Sequence, residues 1–593
     1  MFDPPELTDD TWRRAAAALT AKMIAELSFE QALQPQPLGE GRYRVHVTDA
    51  VAYEFTGRAV AMDSWRIEPA SVMRAASDGE PVDPYRLLLD LHAAWDLDPA
   101  VTALTVSELA ATLSADAHLL ATGRPVAELA ELSHAELEGH QTGHPWIFAN
   151  KGRVGFSGPD RHAHAPEARR RTRLRWMAAH RDIAEHHGLP GLDGPALIGR
   201  ELDPDTRDAF TAVLTGRGLV PTDYVWLPVH DWQWDEVVVP LFAAQLATGR
   251  IVPLGESTDE YRAQQSIRTF VNVDRPDRFD VKLPLSILNT MVYRGIPTEL
   301  VRAAPHSTAW VHALRDGDPF LRDECRVILP GEVAAVAVHH PVFEQLPQAP
   351  YRYRQLLGVI WREPVAACLE PGERARTLAA LLHVDPAGRA FVAELVARSG
   401  LTPTGWLRRL FAAVLPPLLH LMHRYGIAFN PHGENTVVVY DGADVPTRLA
   451  VKDFVDDMKL LHTDLPEYAD LPAEAGGVLM RCGPDELAGS IVKSLLTCHF
   501  RFLAPLCEEQ LTVPEATFWT LVRDEVRRYQ ERFAELADRF ALFDLGKPAF
   551  PRTCLNRERL LPGGYHDRAE RDASFRLDAD PVPNPLHDEK DPL

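Results

Sequence analysis

Positive charge is in short supply in this chain. It carries 62 Lys and Arg against 84 Asp and Glu, a formal net charge of −22. That balance argues against nucleic acid or an anionic membrane as the main partner, while leaving room for a local basic pocket. Cysteine is scarce too: Cys325, Cys368, Cys482, Cys498, Cys507 and Cys554 are scattered, and none forms a C-x-x-C pair. Neither structural zinc nor a disulfide framework is expected, and a reducing cytoplasm fits. There is no long hydrophobic run. The longest, 410–422, is too short for a bilayer and contains two prolines and a histidine, so it reads as a buried helix. The acidic start has no basic n-region, so no signal peptide is expected. Also missing are G-x-S-x-G, H-E-x-x-H and a strand-borne G-x-G-x-x-G, which leaves nucleophilic hydrolases and dinucleotide enzymes without support.

What is there reads as an ordinary globular protein, 46% hydrophobic and 25% charged. At 593 residues it is too long for one core, and two to four domains are expected. The limits suggested by shifts in pattern are 1–200, 201–400 and 401–593. Residues 8–34 read as helix, 42–69 as strands and 84–140 as helices. Residues 143–160 are glycine-punctuated, and 166–188 read as a helix with a basic side. Strands are expected at 222–226, 265–273 and 279–282, the last passing into a helical 285–292. Residues 298–400 read as mostly helix, broken by a strand near 326–329, and helices are expected at 403–424, 486–508 and 514–540. The stretch from about 578, rich in Pro and Asp, reads as a loose tail. The class is therefore α+β.

The most informative segment runs from Tyr425 through Pro431-His432-Gly433-Glu434-Asn435 to Lys452-Asp453-Phe454. Asp441-Gly442 is the dipeptide of a tight hairpin turn. Such a hairpin brings Asp453 close to Asn435 although they are 18 positions apart. An amide oxygen and a carboxylate converging there can hold Mg²⁺ against a nucleotide phosphate, the layout that kinase-like phosphotransferases use. Three further constellations suit anions. Ser266 and Arg268 alternate onto one side of the expected strand, with Thr269 next. Lys282 ends a short strand, and Thr290 and Arg294 share a face at i, i+4 if their segment is helical. Lys151 and Arg153 sit in a glycine-flanked loop able to wrap phosphates. Each taken alone also fits a solvated strand, helix face or surface turn. The run His230-Asp-Trp-Gln-Trp234 reads as packing, and the pairs His186-His187 and His339-His340 diverge too far for a metal.

Taken in order, these motifs resemble the NRPS-independent siderophore synthetases, the IucA/IucC family, over about 136–560. The carriers are Asn150-Lys-Gly-Arg-Val-Gly-Phe, His230-x-Trp-Gln, Ser266-x-Arg-Thr, Leu285-Ser-Ile-Leu-Asn, Pro431-His-Gly-Glu-Asn and Lys452-Asp. Together with Val582-Pro-Asn-Pro-Leu586 they look most like the type C branch, that of desferrioxamine and alcaligin synthetases. Asp231, Asn430 and the run after Asn289 depart from the family's usual wording.

The resemblance implies an open-hand architecture of thumb, fingers and palm, the palm bearing a kinase-like hairpin, and a homodimer. It implies ATP-dependent adenylation of a carboxylate followed by attack of an amine. Its nucleotide residues carry over onto Ser266, Arg268, Thr269, Lys282, Thr290, Arg294, His432 and Asn435, with Lys151 and Arg153 beside them and Asn435 and Asp453 on Mg²⁺. His432, Glu434 and Arg294 become the catalytic candidates. The substrates implied are small hydroxamate or citryl building blocks. The alternative is a kinase-like phosphotransferase acting on a small molecule.

Overall fold

The computed structural model describes residues 4–75, 82–346, 348–561, 577, 579–590 and 593. The N-terminal part packs the helix Asp9–Phe29 and the helices Pro84–Trp95 and Pro99–Ala121 against a small antiparallel sheet. Its helix starts are well specified. Asp98 accepts from the backbone N–H groups of Ala100 and Val101, and Pro99 fills the first helical position.

An eight-stranded sheet forms the middle. Its order is Ala184–Gly188, Glu332–Val338, Gly358–Arg362, Asp280–Lys282, Thr269–Asn272, Ile251–Ala263, Arg171–His180, Tyr224–Val229, and every neighbouring pair is antiparallel. Three expected helices are corrected here. Residues 166–188 form two strands: Arg171, Arg173 and Arg175 recur with period two, opposite the buried Leu174 and Trp176. Residues 298–400 are mixed rather than mostly helix, with three strands, Glu332–Val338, Gly358–Arg362 and Arg374–Thr377, between their helices. Glu332–Val338 and Gly358–Arg362 are buried at every position, so no alternation marks them as strands. The α-helices there are Thr298–Gly317 and Phe391–Ser399, and 326–329 contributes one isolated bridge, Ile328 to Ala450. The expected helix at 285–292 is a hairpin, Leu285–Asn289 with Val292–Arg294. Thr290 and Met291 turn it with φ of +48° and +77°, the pattern of a type I′ turn built without glycine. A boundary at 200 would cut two strands away from this sheet, which runs from Arg171 to Arg362.

The C-terminal part is organised around the buried helix Pro403–Tyr425, which packs on Glu515–Arg532 and on the strand Pro446–Val451. That strand belongs to a three-stranded sheet with Thr436–Tyr440 and Arg374–Thr377. The expected loose tail is anchored: Val582–Pro583 pairs with Ala549–Phe550, and Val582, Asn584 and Leu586 are buried. Asn584 donates to the carbonyls of Leu545 and Lys547.

Candidate active site

The strand Asp280–Lys282 lies between Thr269–Asn272 and Gly358–Arg362, with Lys282 opposite Thr269 and Asp280 opposite Arg362. Period-two alternation puts Asp280 and Lys282 on one face. Arg362 Nη2 donates to Asp280 Oδ2 at 3.0 Å, and its Nη1 reaches Asp453 Oδ1 at 3.1 Å. Lys282 Nζ lies 3.3 Å from Asp453 Oδ1, and 3.7 Å from both Glu332 Oε1 and Asp456 Oδ2. Arg268 Nη2 stands 3.4 Å from Asp456 Oδ2, while its Nη1 donates to the carbonyls of Arg294 at 3.1 Å and Gly295 at 2.5 Å.

The opposing wall is the hairpin 436–451. Thr436 pairs with Val451, and the Lys452 N–H donates to Asn435 O at 3.2 Å, so Asn435 and Asp453 stand side by side at its open end. The turn is not the expected two-residue Asp441-Gly442. It spans 441–445, closed by Asp441 N–H to Val445 O, with Asp444 in the left-handed region at φ +60°. Asp441 Oδ1 accepts from the N–H groups of Ala443 and Val445, an Asx-type arrangement that favours the longer loop. Gly433 is required by a close approach: a Cβ there would meet the backbone of Ala379 at 3.1–3.2 Å.

Asp453 adopts φ +66°, ψ +65°, a left-handed conformation that costs a non-glycine residue about 1–2 kcal/mol. It precedes the short helix Phe454–Asp457 without capping it, and its carboxylate faces Lys282 and Arg362 instead. Burial alone would raise its pKa; the fields of Lys282, Arg362, Lys452 and Arg268 hold it well below the usual carboxylate range. Asp457 goes the other way: burial, then the neighbouring Asp456, pushes it up. It accepts from Asn435 Nδ2 at 2.7 Å and from Asn430 Nδ2 at 3.3 Å. Glu332 is likewise raised by burial, and its Oε2 accepts the Val455 N–H at 3.1 Å. His432 Nδ1 accepts the N–H groups of Glu434 and Asn435 at 3.2 and 3.3 Å, so in the neutral ring the proton sits on Nε2.

The cluster thus gathers Arg268, Lys282, Asn435 and Asp453 from the sequence-based candidates. Ser266 and Arg268 are not on a strand. They lie in the turn 264–269, where Ile267 takes φ +67° and Ser266 Oγ accepts the Thr269 N–H at 3.1 Å. Thr269 begins the adjoining strand, buried beside Lys282. Thr290 and Arg294 do meet, Arg294 Nη2 bonding the Thr290 hydroxyl, but across the type I′ hairpin rather than along a helix. Lys151 and Arg153 do not join the cluster as ligand-ready cations. Lys151 Nζ is held by Asp116 Oδ1 at 2.8 Å and Thr142 O at 2.5 Å, and Arg153 forks onto Glu167. Their loop nevertheless borders the site. Val154 bridges to Leu288, and the fields of His432 and Arg294 act on His144. Burial first, then Lys22, His432 and Arg294, keeps the His144 ring neutral.

Sequence reasoning missed Asp280, Glu332, Arg362, Asp456 and Asp457. Asp456 and Asp457 follow Asp453 by three and four positions, a helical spacing that was available as a signal. Glu332 and Arg362 had none, because they sit on strands that read as helix. Gln233 is more than packing: it donates to Ser286 Oγ at 2.9 Å and Leu356 O at 2.7 Å, fixing the strand that follows Lys282. Asp280, Glu332, Asp453, Asp456 and Asp457 face Lys282, Arg268, Arg362 and Lys452, an oxygen-rich set with an acid in excess. Such a donor set suits a hard divalent cation such as Mg²⁺.

Comparison with known proteins gives the family. The IucA / IucC family model matches residues 133–383, and the model described as ferric iron reductase FhuF-like transporter matches 404–568. No helix among the described residues is long and apolar enough to cross a membrane. The chain is 37% identical to the rhizobactin siderophore biosynthesis protein RhbF of Rhizobium meliloti, over 96% of this chain and 95% of that protein. It is 35% identical to the putrebactin synthase of a Shewanella species, over 98% and 92% respectively. The solved structure of aerobactin synthetase IucC from Klebsiella pneumoniae superposes with a TM-score of 0.86 at 32% identity, covering 97% of this chain and 98% of that one. The fold and its relatives define the class as that of the siderophore synthetases. The chain belongs to the IucA/IucC family.

Proposed function

We propose that the protein is an ATP-dependent siderophore synthetase that adenylates a carboxylate and condenses it with an amine, giving an amide in a hydroxamate-type siderophore. The observation that carries this reading is the convergence of Lys282, Arg268 and Arg362 with Asn435, Asp453, Asp456 and Asp457, on a chain of this family. Attack of the carboxylate on the α-phosphate builds charge on the phosphate oxygens and on the departing pyrophosphate. In this reading Lys282, Arg268 and Arg294 offset it, with Ser266, Thr269 and Thr290 as hydroxyl neighbours. Asn435, Asp453 and Asp457 would hold Mg²⁺, which when bound offsets phosphate charge. His432, with its proton on Nε2, serves as a donor to a phosphate or carboxylate oxygen rather than as a base. The amine must lose a proton as the amide forms, and the half-buried Glu434 next to it is the acceptor in this reading. Lys151 and Arg153 act at one remove, by fixing the loop that carries His144.

The reading includes an open hand of thumb, fingers around the eight-stranded sheet, and a palm with a kinase-like hairpin. A homodimer and a cytoplasmic site of action belong to the reading, the latter in keeping with six unpaired thiols. Light scattering tests the dimer. The chemistry is tested by incubation with ATP, Mg²⁺ and N-hydroxy-N-succinyl-cadaverine or its putrescine analogue. AMP, pyrophosphate and an iron-binding hydroxamate oligomer are expected. The lysine, amide and carboxylate around one hairpin also favour a second reading, a small-molecule phosphotransferase. Release of ADP with a phosphorylated product would establish that one, and AMP formed with citrate alone would move the substrate to another branch.

A further inference from the structure

Glu6, His118 and His162 meet away from the Lys282–Asp453 cluster, on three separate pieces of chain. Glu6 precedes the helix Asp9–Phe29, His118 lies near the end of Pro99–Ala121, and His162 lies on Gly158–His164. One ligand atom from each falls within 4.8 Å of the other two. Glu6 Oε1 stands 2.6 Å from His162 Nε2 and 3.4 Å from His118 Nδ1, and the Glu6 side chain is buried.

The outer ring nitrogens fix what the inner ones present. His162 Nδ1 lies 3.1 Å from Gly158 O, and His118 Nε2 lies 3.1 Å from Glu167 O. A backbone carbonyl only accepts, so each of those nitrogens carries a proton. In the neutral tautomers, His162 Nε2 and His118 Nδ1 then direct lone pairs at the same carboxylate oxygen. Two lone pairs and a carboxylate around one point repel unless a proton on a ring nitrogen or a metal cation lies among them. A remote ring N–H held by a backbone carbonyl is also the outer-shell arrangement that orients histidine ligands of metals. Two ligands of one tetrahedral zinc at about 2.0 Å stand about 3.3 Å apart. The His118–Glu6 spacing of 3.4 Å already has that value, and the His162–Glu6 spacing of 2.6 Å needs to open by a fraction of an ångström.

We propose that Glu6, His118 and His162 bind a divalent transition metal, Zn²⁺ in the first place, as a structural clip. Two imidazoles and a carboxylate suit a borderline cation, with water completing the set. The clip ties the segment ahead of the first helix to the helices that flank the loop of Lys151 and Arg153. Glu167 links the two features directly, since its carbonyl orients His118 and its carboxylate holds Arg153. Scattered cysteines had argued against structural zinc; histidine and glutamate supply what thiolates do not.

The test uses the full chain without an affinity tag and without nucleotide. Elemental analysis should find roughly one zinc per chain. Protein stripped with EDTA and reloaded with Co²⁺ should show the visible absorption of a tetrahedral site. Chelation should lower the melting temperature, and added Zn²⁺ should restore it. The variant His118→Gln/His162→Gln should lose both the metal and the response to chelator. If that variant does not fold, Glu6→Gln is read in the same way. Wild-type protein that holds no more metal than the variant, or whose melting ignores EDTA, overturns the proposal and leaves a proton-shared Glu–His contact.

Discussion

Two pairs of cations look alike in the sequence and differ in the fold. Lys151 and Arg153 stand in a glycine-flanked loop; Lys282 and Arg268 stand on a strand and the turn before its neighbour. All four are buried, at 3–5% exposure. Burial therefore does not separate them, and their partners do. The Lys151 ammonium meets Asp116, Thr142 O and Asn150 at 2.8, 2.5 and 3.3 Å, which saturates its three donors. Arg153 forks onto one carboxylate. Lys282 instead faces three carboxylates at 3.3, 3.7 and 3.7 Å, long for hydrogen bonds, in a cluster where acids outnumber bases. The first pair is locked by fixed partners. The second holds charge that a phosphate or a metal ion can rearrange.

The largest effect expected is on stability at the locked pair. Arg153→Ala leaves the buried Glu167 without its guanidinium and should cost about 3–5 kcal/mol, read as a fall in melting temperature and denaturant midpoint. An Arg153→Ala protein that melts like wild type but no longer releases pyrophosphate would reverse the comparison. Next comes Lys282→Ala, and with it Arg268→Ala. Each should slow pyrophosphate release on the order of a hundredfold or more, the scale of one lost transition-state contact. Near-normal release by either variant removes that residue from the reacting centre.

A smaller effect is set by pH. His140 lies against Arg169, whose Nη1 donates to its Nδ1 at 3.0 Å. Burial, then Arg169 and Arg124, lowers its pKa to about 3. The unfolded chain takes up this proton near pH 6.5 and the folded chain does not, so the contribution is complete above 6.5 and is lost as pH falls towards 3. Glu30, raised to about 7 chiefly by burial, works in the opposite sense over 4.5–7, so the difference between variants is the clean readout. His140→Gln should flatten the fall in stability between pH 6.5 and 5 by roughly 1 kcal/mol per pH unit. An unchanged slope would show that the ring is not held neutral. The smallest effect is at the hairpin turn. Met291→Gly should stabilise the protein by about 1 kcal/mol, since glycine takes φ +77° without strain. If it destabilises, the turn is held by the methionine side chain rather than strained by it.

The sequence made the hairpin side of the site more legible than the sheet side, for a physical reason. Asn435 and Asp453 are joined by a local hairpin, and local pairing leaves a pattern of two apolar runs around a turn. Glu332 and Arg362 join the cluster from strands covered on both faces, whose continuous apolar runs carry no period. The i, i+4 spacing of Thr290 and Arg294 gave the correct contact from the wrong element, because a type I′ turn also folds its fourth neighbour back. The long helices near Pro403–Tyr425 and Glu515–Arg532 were readable from their apolar stripes.

The site's two walls also differ in when the ribosome delivers them. Arg268, Lys282, Glu332 and Arg362 are complete once the middle sheet is made, whereas Asp453 follows Arg362 by 91 residues. At about 5–20 residues per second, the nascent chain waits roughly 5–20 s for its second wall. During that interval Asp280 and Glu332 are the companions on hand for Arg362 and Lys282. Each cation therefore has an acid of the same sheet beside it, Asp280 for Arg362 and Glu332 for Lys282, before Asp453 is made.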